Sequence, residues 1–120
     1  MSVARFWSIG DEVLSRHPNE LDLRRIERAI KDRKRYRYVV PTVLPDSDGY
    51  LIRSACCSRT IDAQGGEIDV ARLQWSDSPP GWALMRKDHV ADQWITDSEF
   101  SRLSDLFARL NTDPDRVFWQ

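Results

Sequence analysis

The chain has 120 residues, 41% of them hydrophobic and 31% charged, and carries a formal net charge of −1. That length makes one domain able to bury a core without disulfides or metals, and no apolar run approaches the roughly 20 residues that cross a bilayer, so a membrane-spanning role is not expected. Near-neutrality excludes a uniformly basic nucleic-acid coat, but it hides an uneven distribution: Leu21 to Val40 holds eight Lys/Arg against three Asp/Glu, whereas Pro41 onward holds eight against thirteen.

Residues 1–19 read as an N-terminal arm or short helix, with Phe6, Ile9 and Val13 at helical spacing, Ser8 as a cap and His17-Pro18 as a stop. The first residues lack the basic segment and apolar core of a secretory signal. Trp7 would anchor this arm to the core or to another subunit. Residues 20–120 then form a single domain.

From Leu21 a helical pattern runs into a strand pattern. Leu23, Ile26 and Ile30 recur at helical spacing with Arg24, Arg28 and Lys31 opposite them, and Asn19 stands where an N-cap belongs. Past Lys34 the run Arg35-Tyr36-Arg37-Tyr38-Val39-Val40 alternates with a period of two, which predicts a strand over Tyr36–Val43. Leu44 to Gly49 is turn chemistry, so Tyr50–Cys57 should return antiparallel. Gly65 and Gly66 provide the next reversal, Ile68–Trp75 a third strand, Ser76 to Gly81 a further turn and Trp82–Lys87 a fourth strand, with Trp94-Ile95 a short fifth. Thr96 followed by Glu99 fits a capping box and predicts a helix with Phe100, Leu103, Phe107 and Leu110 on one stripe, ending near Asn111. Asp113-Pro114 begins a last turn that returns Val117, Phe118 and Trp119 to the core. The sum is an α+β fold: one antiparallel meander of four to five strands with an N-terminal and a C-terminal helix on one face.

Several of these pieces, taken in order, resemble a family of small bacterial proteins defined only as a domain of unknown function. They are the basic helix running into RYRYV, then CSRTID with GGEIDVA, a Trp-bearing strand leading to Asp88-His89, and a closing LNTDPDRVFW. The resemblance spans roughly Glu20 to Trp119 and implies a compact bacterial domain; it brings no catalytic or binding residue with it.

Four constellations carry chemistry. The basic cluster of Arg24, Arg25, Arg28, Lys31, Arg33, Lys34, Arg35 and Arg37, interleaved with Tyr36 and Tyr38, could neutralise phosphates and stack on bases. Its bland alternative is a solvated helix face with Glu20–Arg24, Glu27–Lys31 and Arg28–Asp32 as internal pairs, which leaves Lys34, Arg35 and Arg37 uncompensated. Asp62, Glu67 and Asp69 around the double glycine could hold a divalent ion for hydrolysis, with Arg59 or Lys87 nearby; the plainer use of Asp62 and Asp69 is as turn-flanking or outward strand residues paired with Arg59 and Arg72. Asp88-His89 lacks a nucleophile placed by any motif, and strand neighbours point to opposite sides. Five tryptophans suit a small core, and Trp82, Trp94 and Trp119 are expected to be mostly buried.

Adjacent Cys56 and Cys57 make neither an unstrained bridge nor a zinc site and read as reduced strand residues, which points to the cytoplasm. No cofactor is expected. The first functional expectation is a non-enzymatic module whose Arg28, Lys31, Lys34, Arg35 and Arg37 contact nucleic acid. The alternative is a protein-interaction or self-association module using the N-terminal arm and exposed Trp. A metal-dependent hydrolase at Asp62, Glu67 and Asp69 comes third.

Overall fold

The computed structural model of the protein describes residues 18–34, 40–55 and 66–119. They form helix α1 (Glu20–Ala29) with a one-turn 3-10 extension (Ile30–Asp32), strands β1 (Thr42–Pro45), β2 (Gly49–Ala55), β3 (Glu67–Asp77), β4 (Pro80–Asp88) and β5 (Gln93–Phe100), and helix α2 (Leu103–Thr112). The five strands make one antiparallel sheet in the order β1-β2-β3-β4-β5, as the meander reading requires. Ile26 and Ile30 from α1 and Leu103, Leu106 and Leu110 from α2 enter one core with Tyr50, Ile52, Leu73, Trp82 and Leu84 of the sheet.

Helix α1 starts as its sequence dictates: the Asn19 side chain accepts from the Asp22 amide at 2.8 Å, filling one of the orphan N–H groups of the first turn. The Tyr50 hydroxyl, buried beneath, accepts from the Asn19 amide at 2.9 Å and donates to its carbonyl at 3.3 Å. A sheet residue thus fixes where the helix begins.

Three strand boundaries differ from expectation. The first strand is Thr42–Pro45 rather than Tyr36–Val43: Val40 and Pro41 lie outside it, and residues 35–39 lie outside the described residues. Proline at 41 offers no N–H to a ladder, and the described pairing begins with Thr42 opposite Arg53. Both hairpins are also tighter than their turn-rich sequences suggest, since β2 already begins at Gly49 and only Ser78-Pro79 separates β3 from β4. Gly49 permits the first of these: a Cβ there would collide with the Leu73 carbonyl of β3.

The third difference is the largest. Thr96 to Glu99 do not cap a helix; they belong to an eight-residue β5 paired with β4 along its length. Helix α2 begins only at Leu103, after Arg102, whose side chain makes no capping bond. Trp94, Ile95 and Thr96 have high β-propensity and β4 presents a full-length edge, so long-range pairing overrides the local capping signal. Phe100 accordingly sits opposite Trp82 in the sheet and packs on the core from there, while Leu103, Leu106 and Leu110 are the buried stripe of α2.

Two bulges adjust the sheet. Ile52 faces Ala71 but Arg53 faces Asp69, so Val70 is an extra residue and two consecutive side chains, Val70 and Ala71, are buried. Leu84 faces Ser98 but Met85 faces Thr96, which makes Asp97 the extra residue. Its carboxylate takes both Nε (3.0 Å) and Nη2 (2.9 Å) of Arg109 on α2 and the Ser98 hydroxyl at 2.8 Å. This fork ties the last strand to the last helix.

The opposite face of the sheet is covered by long charged side chains lying in pairs. Arg72 meets Asp46 at 2.7 Å, while Asp69 lies between Arg53 (3.1 Å) and Lys87 (3.4 Å). Of the tryptophans, Trp82 and Trp119 are buried, whereas Trp94 is half-buried under the Lys87 ammonium and Trp75 packs edge-on against Trp82. Expected burial of Trp94 is therefore only partly met.

Candidate functional site at the basic corner

The C-terminal ends of both helices meet, and the basic segment leaves α1 at that junction. Each helix end exposes carbonyls with no intrahelical partner and carries partial negative charge. Here the two ends serve each other: the Asn111 side-chain amide donates to the Ala29 carbonyl at 2.9 Å, and the Lys34 amide donates to the Asn111 carbonyl at 2.9 Å.

Arg33 is placed between them. It is 4% exposed, donates from Nη1 to the Ile30 carbonyl at 2.8 Å, and lays its guanidinium 5.2 Å from the centre of the Trp119 ring. Trp119 in turn donates from its indole nitrogen to the Leu110 carbonyl at 3.0 Å. A buried cation against two helix C-termini and an aromatic face is well compensated. Arg33 is thus a structural residue, not part of a solvated patch.

Trp119 is held by the turn after α2. Asp113 ends that helix in the left-handed region, φ 33° and ψ 59°, and is fully buried. Its carboxylate accepts three backbone amides, Val117 at 2.9 Å, Phe118 at 3.1 Å and Trp119 at 2.8 Å. Aspartate suits this place because it tolerates positive φ and brings two acceptor oxygens. The DPDRVFW stretch is therefore a carboxylate-centred turn that returns Phe118 and Trp119 to the core, as expected from sequence, and so shapes the corner beneath Arg33.

The remaining basic residues divide by their partners. The expected pairs Glu20–Arg24, Glu27–Lys31 and Arg28–Asp32 do not form; Arg24 instead pairs with Glu27 at 3.2 Å and Arg25 with Asp22 at 2.9 Å, both at i,i+3 spacing. Arg28, Lys31 and Lys34 are exposed and make no ion pair among the described residues. Arg35 and Arg37, like Tyr36 and Tyr38, lie outside the described residues.

The acidic constellation does not assemble into a metal site within the described chain. Asp62 lies outside the described residues, Glu67 is exposed at the start of β3, and both oxygens of Asp69 face cations, Arg53 and Lys87. The partners expected for Asp69 are thus replaced: Arg72 goes to Asp46, and Arg59 lies outside the described residues. The Arg53 Nε contact is an ion pair without an aligned N–H, while Lys87 also reaches Asp92 at 3.0 Å. Hydrogen bonding to Asp92 raises the Lys87 ammonium above its ordinary range in spite of burial, so it is a firm positive charge and not a base. Among the described residues no group of three His, Cys, Asp or Glu converges as a metal would need.

Asp88 and His89 are likewise not a catalytic pair. The Asp88 carboxylate accepts from the amides of Val90 (3.0 Å) and Ala91 (3.1 Å), which makes it a turn former. Burial, and then the Lys87 charge, hold the His89 imidazole below its usual range, and it stays neutral at pH 7. Cys56, Cys57 and Trp7 lie outside the described residues.

What sequence reasoning missed is the use of Arg33, Asn111 and Asp113. The only local signal was Asp113-Pro114 following a helical stripe, which marks a stop but not a buried carboxylate.

A family model described as a domain of unknown function, DUF3024, matches residues 14–120. No curated protein and no solved structure matches the chain.

Proposed function

The chain belongs to the DUF3024 family, and we propose that its basic corner contacts the phosphate backbone of nucleic acid as a non-enzymatic binding module, in a bacterial cytoplasm. One observation carries the reading: Arg28, Lys31 and Lys34 are exposed and without acidic partners among the described residues, on a helix end held rigid by α2. A backbone already fixed by α2 loses little further freedom when its cations meet a polyanion. Arg35 and Arg37 follow directly in the chain and would extend the contact. The engagement of Asp69 by two cations weighs against the hydrolase reading.

The test is fluorescence anisotropy with labelled single- and double-stranded DNA and RNA at two salt concentrations. Each phosphate neutralised contributes about 0.9 to the slope of log K against log salt on duplex DNA, so contacts from Arg28, Lys31 and Lys34 give a slope of about −3. Binding lost in the Lys34→Ala/Arg35→Ala/Arg37→Ala variant supports the proposal, and flat titrations at low salt would refute it.

Self-association is the second reading, favoured by the outer edge of β5. The Gln93–Thr96 segment carries no charge, and no described strand pairs beyond it. Sedimentation at two protein concentrations separates this reading from the first.

A further inference from the structure

We propose that a cleft between the β3–β4 hairpin and the end of β5 binds a small ligand that joins an apolar or aromatic body to an ammonium group. The cleft follows from the register. Ser76 faces Gly81, Gln74 faces Ala83, and Ala83 faces Glu99, so these residues share the sheet face that lies away from the helices. Elsewhere that face is roofed by Arg53, Arg72, Met85 and Lys87, whose side chains are all half-buried. At Gly81 and Ala83 nothing comparable rises from the strand. The result is a hollow of about 360 Å³, walled by Pro79 and Pro80 on the hairpin side and by Phe100 and Ser101 on the other. Its size lies at the lower end of small-molecule sites, and an apolar lining with a few convergent polar groups is their usual composition.

The charge of the cleft selects the ligand. Glu99 is the one ionisable residue lining it, and this carboxylate is exposed and makes no ion pair among the described residues. The nearest cation along the chain, Arg102, is turned to Asp105 at 3.5 Å. One carboxylate with two serine hydroxyls, from Ser76 and Ser101, is too sparse for a divalent cation but suits an ammonium with three donors. Pro79, Pro80 and Ala83 offer apolar surface to the rest of such a molecule. Gly81 keeps the floor open, because a Cβ there would stand 3.1 Å from the Phe100 carbonyl oxygen.

The experiment is a titration of the full chain, 15N-labelled, with phenethylamine and separately with 3-phenylpropionate, followed by amide chemical shifts. Shifts are expected at Ser76, Ala83, Glu99 and Ser101, with the amine binding about fivefold tighter than the acid, the scale of an exposed ion pair. Glu99→Gln, at an exposed position that leaves the fold intact, should erase that preference. The proposal is overturned if no shifts appear at these residues by about 10 mM amine, a concentration that fills a millimolar site. It is equally overturned if the acid binds as well as the amine, or if Glu99→Gln keeps the preference.

Discussion

Replacing Asp113 by asparagine removes one charge and one acceptor from the centre of the C-terminal turn while leaving its shape alone. Asparagine accepts the left-handed backbone as aspartate does, so the φ of 33° contributes no difference. In the wild type Oδ2 accepts from Phe118 and Trp119 and Oδ1 from Val117. With the amide oxygen in the place of Oδ2, two bonds persist but lose charge assistance, at about 1 kcal/mol each. The NH₂ group then faces the Val117 amide donor to donor, and that N–H costs about 1–3 kcal/mol if left unpaired. A neutral side chain is cheaper to bury, which offsets part of the loss. The net expectation is a destabilisation of about 2–4 kcal/mol, a large share of the 5–15 kcal/mol typical of a domain. Urea unfolding should show it as a midpoint lower by about 1–2 M for a slope of about 2 kcal/mol/M. Asp113→Ala should fall further, because it loses all three bonds and places a Cβ-bearing residue without compensating polar atoms in the left-handed region, at about 1–2 kcal/mol more. An Asp113→Asn variant within about 0.5 kcal/mol of wild type would refute the reasoning.

The other predictions separate structural from free charges. Arg33→Met should cost about 1–3 kcal/mol through the lost bond to Ile30 and the lost contact with Trp119, whereas Arg28→Gln/Lys31→Gln/Lys34→Gln should move the urea midpoint little, each within about 0.5 kcal/mol, while abolishing nucleic-acid binding. If that triple variant loses stability instead, these cations serve the α1 terminus. Gly49→Ala should cost more than about 4 kcal/mol, because the Cβ meets backbone and not a yielding side chain, and near-normal stability by urea would contradict the hairpin geometry. Burial alone would raise the Asp97 carboxyl, but the Arg109 fork and the Ser98 hydroxyl overcome it and hold the group below the usual carboxylate range. A depressed folded-state pKa stabilises fully above the ordinary value near 4 and is lost as pH falls through the folded one. Asp97→Asn should therefore flatten the acid limb of stability against pH below about 4, and equal acid limbs in the two proteins would remove the fork from the account.

Elements whose signals are local were legible in the sequence. The Ile26–Ile30 stripe and the Asn19 cap act within a few residues and appear where expected, and the turn chemistry marks the β1–β2 and β3–β4 hairpins though not how tight they are. Thr96 to Glu99 show the limit. The same residues satisfy a capping box and an edge strand, and the choice is made by β4, which no local pattern contains. Bulges are invisible for the same reason: Val70 and Asp97 become extra residues only relative to the strands they face. At the candidate site the run of cations is legible in the sequence but its exposure is not, and Arg33 belongs to that run. In sequence it is one of eight cations in a run, and only the return of Trp119 from the far end of the chain turns it inward.

That division says where function can reside. The closing stretch LNTDPDRVFW is almost entirely employed within the fold. Leu110 fills the core and receives the Trp119 indole, Asn111 caps α1, Asp113 gathers three amides, and Phe118 lies under the Arg109 guanidinium at 5.2 Å. These residues build the corner from within. Also employed within the fold are Arg24, Arg25, Arg33, Arg53, Arg72, Lys87 and Arg109, each of which meets a carboxylate, a carbonyl or a ring. Arg28, Lys31 and Lys34 have no such employment among the described residues, and long cationic side chains left in water on a rigid support add no packing to the domain. Their only energetic return within the fold is a favourable position near a helix C-terminus, about 0.3–1 kcal/mol apiece and screened by salt. Under the proposed reading a polyanion would give each of them more, through direct contact with its phosphates.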